Sequence, residues 1–113
     1  YLFNSQLLTL PDGSMALIAR TDEDAFQTLW RGPFRKGAWQ RLILEFQMGR
    51  KGYARLWVND RKVSETFLPL RWQEGQDRCT LKTGIYRGPA ATPFEMWFDD
   101  VALGSTYLSV KGW

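Results

Sequence analysis

The sequence predicts an all-β fold of the sandwich or jelly-roll kind. Three observations lead there. Apolar and polar residues alternate with a period of two along nearly the whole chain, and no segment repeats its apolar residues at helical spacing. Turn-forming residues punctuate that alternation at intervals of about ten residues, the spacing of a sandwich built from short strands. The chain has 113 residues, of which 44% are hydrophobic and 15% aromatic, so it can bury one core and lies far from the composition of disordered segments.

The elements follow in order. Leu7 to Leu10 is a strand that ends at the turn Pro11-Asp12-Gly13. Met15 to Arg20 is the second, closed by the polar run Thr21 to Asp24, and Ala25 to Trp30 is the third. The segment RGPFRKG reads as a loop, punctuated by glycine and proline. Trp39 to Met48 is a long strand with Leu42, Leu44 and Phe46 on one face and Arg41, Ile43, Glu45 and Gln47 on the other. A basic turn, Gly49 to Gly52, leads into the strand Tyr53 to Val58. Asn59-Asp60 is a two-residue hairpin signal, and Lys62 to Phe67 is the returning strand. After a loop around Arg71 to Asp77 come a strand in TLKTGIYRG, Thr80 to Gly88, the loop GPAATP, and a long strand from Phe94 to Leu103. The tail STYLSVKGW reads as a final short strand or an extended end. There are no internal repeats and no linker, so residues 1–113 are expected to be a single sandwich domain or a portion of one.

Composition removes several chemistries. The chain has no histidine, which excludes Ser-His-Asp and Cys-His nucleophilic sites within it and most zinc sites. Its one cysteine, Cys79, cannot form an internal disulfide. Net charge is +3, which favours an anionic partner as readily as it describes a solvated surface. The basic residues are scattered, so nucleic acid is not indicated. No apolar run reaches membrane-spanning length. No metal site is expected, because Asp99-Asp100 and the run Thr21 to Asp24 read as turn features and no Asp-rich loop supplies the six to eight oxygens calcium needs. A glycosidase would need two carboxylates facing across a cleft; Glu45 and Glu95 are candidates that nothing singles out.

In the strand Thr80 to Gly88, Leu81, Thr83 and Ile85 share one face, and Lys82, Gly84 and Tyr86 share the other. An exposed face with snorkelling Lys and Tyr is one reading. The other comes from a resemblance. The stretch TLKTGIYRG resembles the signature strand of the jelly-roll polysaccharide lyases, of the heparin lyase type (K-F-G-I-Y-R) and the alginate and glucuronan lyase type (K-x-G-x-Y). Lys82, Gly84, Ile85, Tyr86 and Arg87 carry the match. KGAWQRLILEF, GYARLWVNDRKV and FDDVALGSTY are similar to other segments of that family, in the right order, from about Trp30 to Tyr107. The last two also occur in laminin-G-like and other concanavalin-like sandwiches.

The resemblance implies a concanavalin-like jelly roll that cleaves a uronate-containing polysaccharide by β-elimination, without an organic cofactor. Tyr86 matches the family's acid, which in several members is also the base. A tyrosine hydroxyl titrates near 10 unless a cation lowers it. Lys82 stands roughly 13 Å away along an extended strand, close enough for two long side chains to reach one sugar or its neighbour. Gly84 between them would leave room for the sugar chain. Tyr53, Arg55 and Trp57, on one face of their strand, would suit sugar subsites by ring stacking and by pairing of Arg with carboxylate. That face would equally suit packing against a loop. Ala54, Leu56 and Val58 on the other face read as core, and Trp30, Trp39, Trp72 and Trp97 as packing residues. Arg87 points away from Tyr86 on a regular strand.

The chain departs from the family in lacking the Arg and Gln-x-His strands that precede the signature. Either it is the C-terminal half of a lyase-like sandwich, or it is a divergent, non-catalytic relative. A half sandwich would expose strand edges, so a missing N-terminal half, a second chain or a homodimer is expected to cover them. The expected ligand is an anionic polysaccharide, with a secreted, periplasmic or virion-associated setting. The competing class is a carbohydrate-binding or adhesive sandwich with no chemistry.

Overall fold

The structure is a computed structural model that describes residues 5–20, 25–70, 82–84, 91, 93 and 95–112. The chain divides into two compact units, Tyr1–Gly75 and Gln76–Trp113. Six strands belong to the first, in two three-stranded antiparallel sheets, and the fold is all-β and sandwich-like.

The first sheet is a meander of β1 (Ser5–Thr9), β2 (Ser14–Arg20) and β3 (Phe26–Pro33). Its β1–β2 turn is fastened to β3 by side chains. Asp12 accepts from the Ser14 amide at 3.0 Å and from its hydroxyl at 2.6 Å. Arg31 donates to the Ser14 hydroxyl at 3.1 Å and pairs with the Asp12 carboxylate. The Ser14 hydroxyl and amide, and then Arg31, hold the Asp12 carboxyl below the usual carboxylate range. A register shift between Leu17 and Ile18 lets Leu17 pair with Trp30 and Ile18 with Thr28. β3 runs on through Gly32 and Pro33, which the sequence assigns to a loop. Gly32 and Pro33 pair with Met15 and Ser14 near the end of the last strand of this sheet, where proline is tolerated.

The second sheet is β4 (Leu42–Gln47), β5 (Tyr53–Val58) and β6 (Arg61–Phe67). Asn59 and Asp60 take positive φ, 49° and 68°, so the expected hairpin forms as a type I′ turn. Asn59 also ties the turn to the start of β4: its side chain accepts from the Arg41 amide at 3.0 Å, and Arg41 reaches Asp60 at 3.1 Å. The β4–β5 turn is closed by the Gly52 amide donating to the Gly49 carbonyl at 3.1 Å, and a bridge from Gly49 to Leu70 ties it to the segment after β6.

The sheets pack face to face through β2 and β5. Leu17, Ala54 and Leu56 are fully buried together, with Leu7, Leu29, Trp30, Leu44, Val58 and Val63 around them. The core side of β5 is the one its alternation predicts. Along β4 the pattern holds at Leu44 and frays at the flanks: Leu42 and Phe46 share the core-side register yet stay exposed, while Ile43, on the polar face, is buried. Truncating Leu17 or Leu56 to Ala would cost about 2–5 kcal/mol, the range for a fully buried leucine.

The second unit departs from expectation. Residues 95–104 form no strand, although the alternation from Phe94 to Leu103 predicts one. Asp100 supplies a reason: its φ is 51°, and its amide donates to the Asp99 carboxylate at 2.9 Å, so the extended backbone a strand needs is interrupted there. The tail is α1 (Tyr107–Lys111), a single helical turn, not a strand. Thr106 caps it in a reciprocal capping box with Ser109, a serine where the usual sequence signal has Glu or Gln, so the sequence does not announce the helix. Two tryptophans expected to pack are exposed. Trp39, 66% exposed, lies in the loop before β4, outside the strand expected to hold it. Trp97, 71% exposed, gives its indole N–H to Glu95. Trp72 lies outside the described residues.

Gly52, just before β5, is a glycine closely approached by backbone. A Cβ there would lie 2.6 Å from the Leu68 carbonyl oxygen and 2.8 Å from the Leu70 amide nitrogen. Both are backbone atoms of the segment bonded to the turn: the Leu68 amide donates to the Gly52 carbonyl, and the Leu70 amide to that of Gly49. Gly52→Ala is therefore expected to destabilise the fold by about 1–3 kcal/mol, the cost of overpacking, and to lower Tm by several degrees in a thermal melt. Gly37→Ala is the comparison, with positive φ but open space around the added methyl group.

Candidate functional site

The second sheet's solvent face is built by the same pleat that makes its core. Burying Ala54 and Leu56 turns Tyr53, Arg55 and Trp57 outward, and cross-strand register places their neighbours. One row joins Gln47, Tyr53 and Phe67; the next joins Glu45, Arg55 and Glu65; a third joins Ile43, Trp57 and Lys62. The structure thus brings together the three predicted binding residues and adds Phe67, Glu45, Glu65 and Lys62.

Arg55 is the centre of this face. It donates from one terminal nitrogen to Glu45 at 2.6 Å and from Nε to Glu65 at 2.7 Å, spanning all three strands. Lys62 also reaches Glu65, at 3.0 Å. The guanidinium lies 4.1 Å from the centre of the Tyr53 ring and 5.7 Å from that of Phe67. Those two rings sit 6.3 Å apart, inclined at 60°. Hydrogen bonds to Glu45 and then Glu65 raise the Arg55 pKa, and bonds from Lys62 and then Arg55 hold the Glu65 carboxyl below its ordinary range. The sequence places an arginine here; it does not show that the arginine already holds two carboxylates of its own. Period-two alternation puts Glu45 on the polar face of β4, but Glu65 meets Arg55 only through the register shift between Leu56 and Trp57; a regular two-residue hairpin would have set Ser64 there.

Of the signature stretch, Lys82, Thr83 and Gly84 are described and Tyr86 is not, nor are Ile85 and Arg87. Lys82 to Gly84 is exposed and lies outside any strand, contrary to the strand expected there. Gly84 has a φ of 150°, a conformation that residues with a Cβ rarely adopt. This breaks the regular alternation and gives the glycine a backbone reason to be there. A Cβ at Gly84 would meet nothing within 4 Å, so the space beside it is open. Of the carboxylates considered for a glycosidase, Glu45 is held by Arg55 and Glu95 accepts from Trp97. Among the described residues no three His, Cys, Asp or Glu side chains converge as metal ligands would.

The family described as polysaccharide lyase matches residues 6–102. The match spans most of the chain and includes the whole second sheet and the signature stretch, and the protein belongs to the polysaccharide lyase family. No curated protein and no solved structure matches the chain.

The lowered Glu65 carboxyl makes an acid-side prediction. A carboxylate whose pKa is depressed by folding stabilises the folded state above its unfolded pKa, about 4.3, and that contribution disappears as pH falls through the lowered folded value. The parent's melting temperature should therefore exceed that of Glu65→Gln at pH 7, and the gap should narrow as pH is taken from 5 to 3. Thermal melts by circular dichroism across that range check it; a gap independent of pH would mean the carboxylate contributes no charge-dependent stability.

Proposed function

We propose that this protein cleaves an acidic, uronate-containing polysaccharide by β-elimination. What supports the reading is the family match over residues 6–102, which encloses the Lys82-x-Gly84-x-Tyr86 signature. In that reaction a base takes the proton from C5 of the uronate. The C–H electrons form a double bond between C5 and C4, the C4–O bond breaks, and the leaving oxygen takes the electron pair and a proton. Negative charge builds on the uronate carboxylate in the transition state, so a group that neutralises it lowers the barrier.

The residues divide these tasks. Tyr86 gives the proton to the leaving oxygen, and as its phenolate it can also take the C5 proton. Lys82 neutralises the carboxylate and favours the phenolate by its charge. Its exposure leaves it open to a polyanion in solution. Gly84 keeps the approach free of side-chain bulk, and Tyr53, Arg55 and Trp57 contact the polysaccharide. A separate N-terminal portion or a different second chain would supply the arginine and the Gln-x-His-type residues that the chain lacks, and a secreted, periplasmic or virion-associated setting fits a polymeric substrate.

The reaction leaves an unsaturated uronate that absorbs in the ultraviolet. Incubation with alginate, glucuronan, heparin and chondroitin should raise that absorbance with one of them. Tyr86→Phe should lower the rate by about 10²–10⁴-fold, the scale of a general acid–base group, and Lys82→Met should also lower it. Binding without any absorbance change, unaltered by Tyr86→Phe, would instead mark the chain as a carbohydrate-binding relative without chemistry.

A further inference from the structure

We infer that the solvent face of the β4–β5–β6 sheet is a polysaccharide-docking surface on which the Phe67 ring, rather than Arg55, makes the principal contact. The inference rests on the reading of the ligand as an acidic polysaccharide, and it names the residue that would hold it on this face. Phe67 is 67% exposed at the end of β6, an unusual position for a phenylalanine in a water-facing row. It is not an isolated apolar side chain. Tyr53 stands beside it across the strands, and the Arg55 guanidinium, held between Glu45 and Glu65, lies over the Tyr53 ring and 5.7 Å from the centre of the Phe67 ring. A flat ring bordered by fixed hydrogen-bonding groups suits a pyranose, whose C–H face stacks on the ring while its hydroxyls reach carboxylate and guanidinium.

Charge decides the class of sugar. Arg50 and Lys51, both exposed, form the β4–β5 turn immediately beyond the Gln47–Tyr53–Phe67 row. With Arg55 and Lys62 they outnumber the two carboxylates of the face, which gives a polyanion a net attraction. Arg55 itself is poorly placed to take a uronate carboxylate. Two glutamates already share its charge, and a third carboxylate would meet their repulsion. The turn is the place for the uronate charge, and the ring is the place for the sugar face.

The test uses the full chain and measures binding and cleavage separately. Binding of the acidic polysaccharides named above is followed by affinity electrophoresis and calorimetry for the parent, Phe67→Ala, Phe67→Trp and Arg50→Gln/Lys51→Gln. Phe67 is exposed, so its replacement leaves the core intact, and circular dichroism melts check this. Phe67→Ala should weaken binding about tenfold, the scale of one aromatic contact, while Phe67→Trp retains it. The double turn variant should weaken binding and flatten its dependence on salt. Equal binding by the parent and Phe67→Ala overturns the inference and leaves the lyase reading standing if cleavage persists. A parent that neither binds nor cleaves any of these polysaccharides overturns both. Self-association of the parent that is lost in Phe67→Ala, with glycan binding unchanged, would assign the face to a second copy of the chain and overturn the inference as well.

Discussion

The burial of Leu56 and Ala54 against Leu17 is the constraint on which the sandwich and its outer face both depend. β5 is the central strand of its sheet, so it has no freedom to slip without carrying both neighbours. Once Leu56 is committed to the interior, the pleat sends Arg55 and Trp57 to water. The hairpin turns then fix which residues meet them. The I′ turn at Asn59-Asp60 sets β6 against β5, and the register shift between Leu56 and Trp57 lets Val63 join the core while Lys62 pairs with Trp57. A one-residue slip would reverse every one of these assignments.

The charged row adds order more than strength. Glu45, Arg55 and Glu65 are partly solvated, and such pairs contribute little to stability because water screens them and long side chains lose freedom in forming them. Their effect is geometric. Two hydrogen bonds from opposite sides hold the guanidinium across three strands, and the Tyr53 ring is close enough to its charge for a cation–π contact. A free arginine would sweep many rotamers; this one is held near a single position. The same bonds lower the charge available to a ligand, so a residue that the sequence offers as an ion-pairing partner becomes part of the surface that presents its neighbours.

The sequence makes the first unit legible and the second much less so. In β5 the pattern alone separates Ala54, Leu56 and Val58 from Tyr53, Arg55 and Trp57, and the structure keeps that division because a central strand obeys its pleat. Asn59-Asp60 is equally plain, since positive φ at two successive residues has few sequence solutions. Alternation misleads from Phe94 to Leu103. The pattern records which residues could share a face, but a strand also needs a partner and an unbroken extended backbone, and Asp100 in the left-handed region denies the second. At Gly84 the sequence suggests room for a ligand, and the backbone adds a φ that glycine adopts readily. Both reasons favour the same residue, which is why a motif alone cannot separate them. Tyr86 lies outside the described residues, so its proposed role stands on the motif and the family.

Family membership and the outer face answer different parts of the functional question. The family supplies the class, polysaccharide lyase, for a chain without histidine; in the proposed mechanism tyrosine and lysine serve as proton donor and cation. Tyrosine suits an elimination whose leaving group is a sugar oxygen: near neutral pH its hydroxyl is protonated and ready to donate, and only a nearby cation makes the phenolate accessible. The outer face bears on a separate requirement. A polymer that must stay bound through successive encounters gains from contacts away from the bond being broken, because linked weak contacts raise the effective concentration of the chain without each being strong. In the proposed docking surface an exposed ring, a fixed guanidinium and a basic turn on one small sheet would be contacts of that weak and repeatable kind. They make no demand on the proposed chemistry, so on this reading retention of a polymer and its cleavage would vary independently.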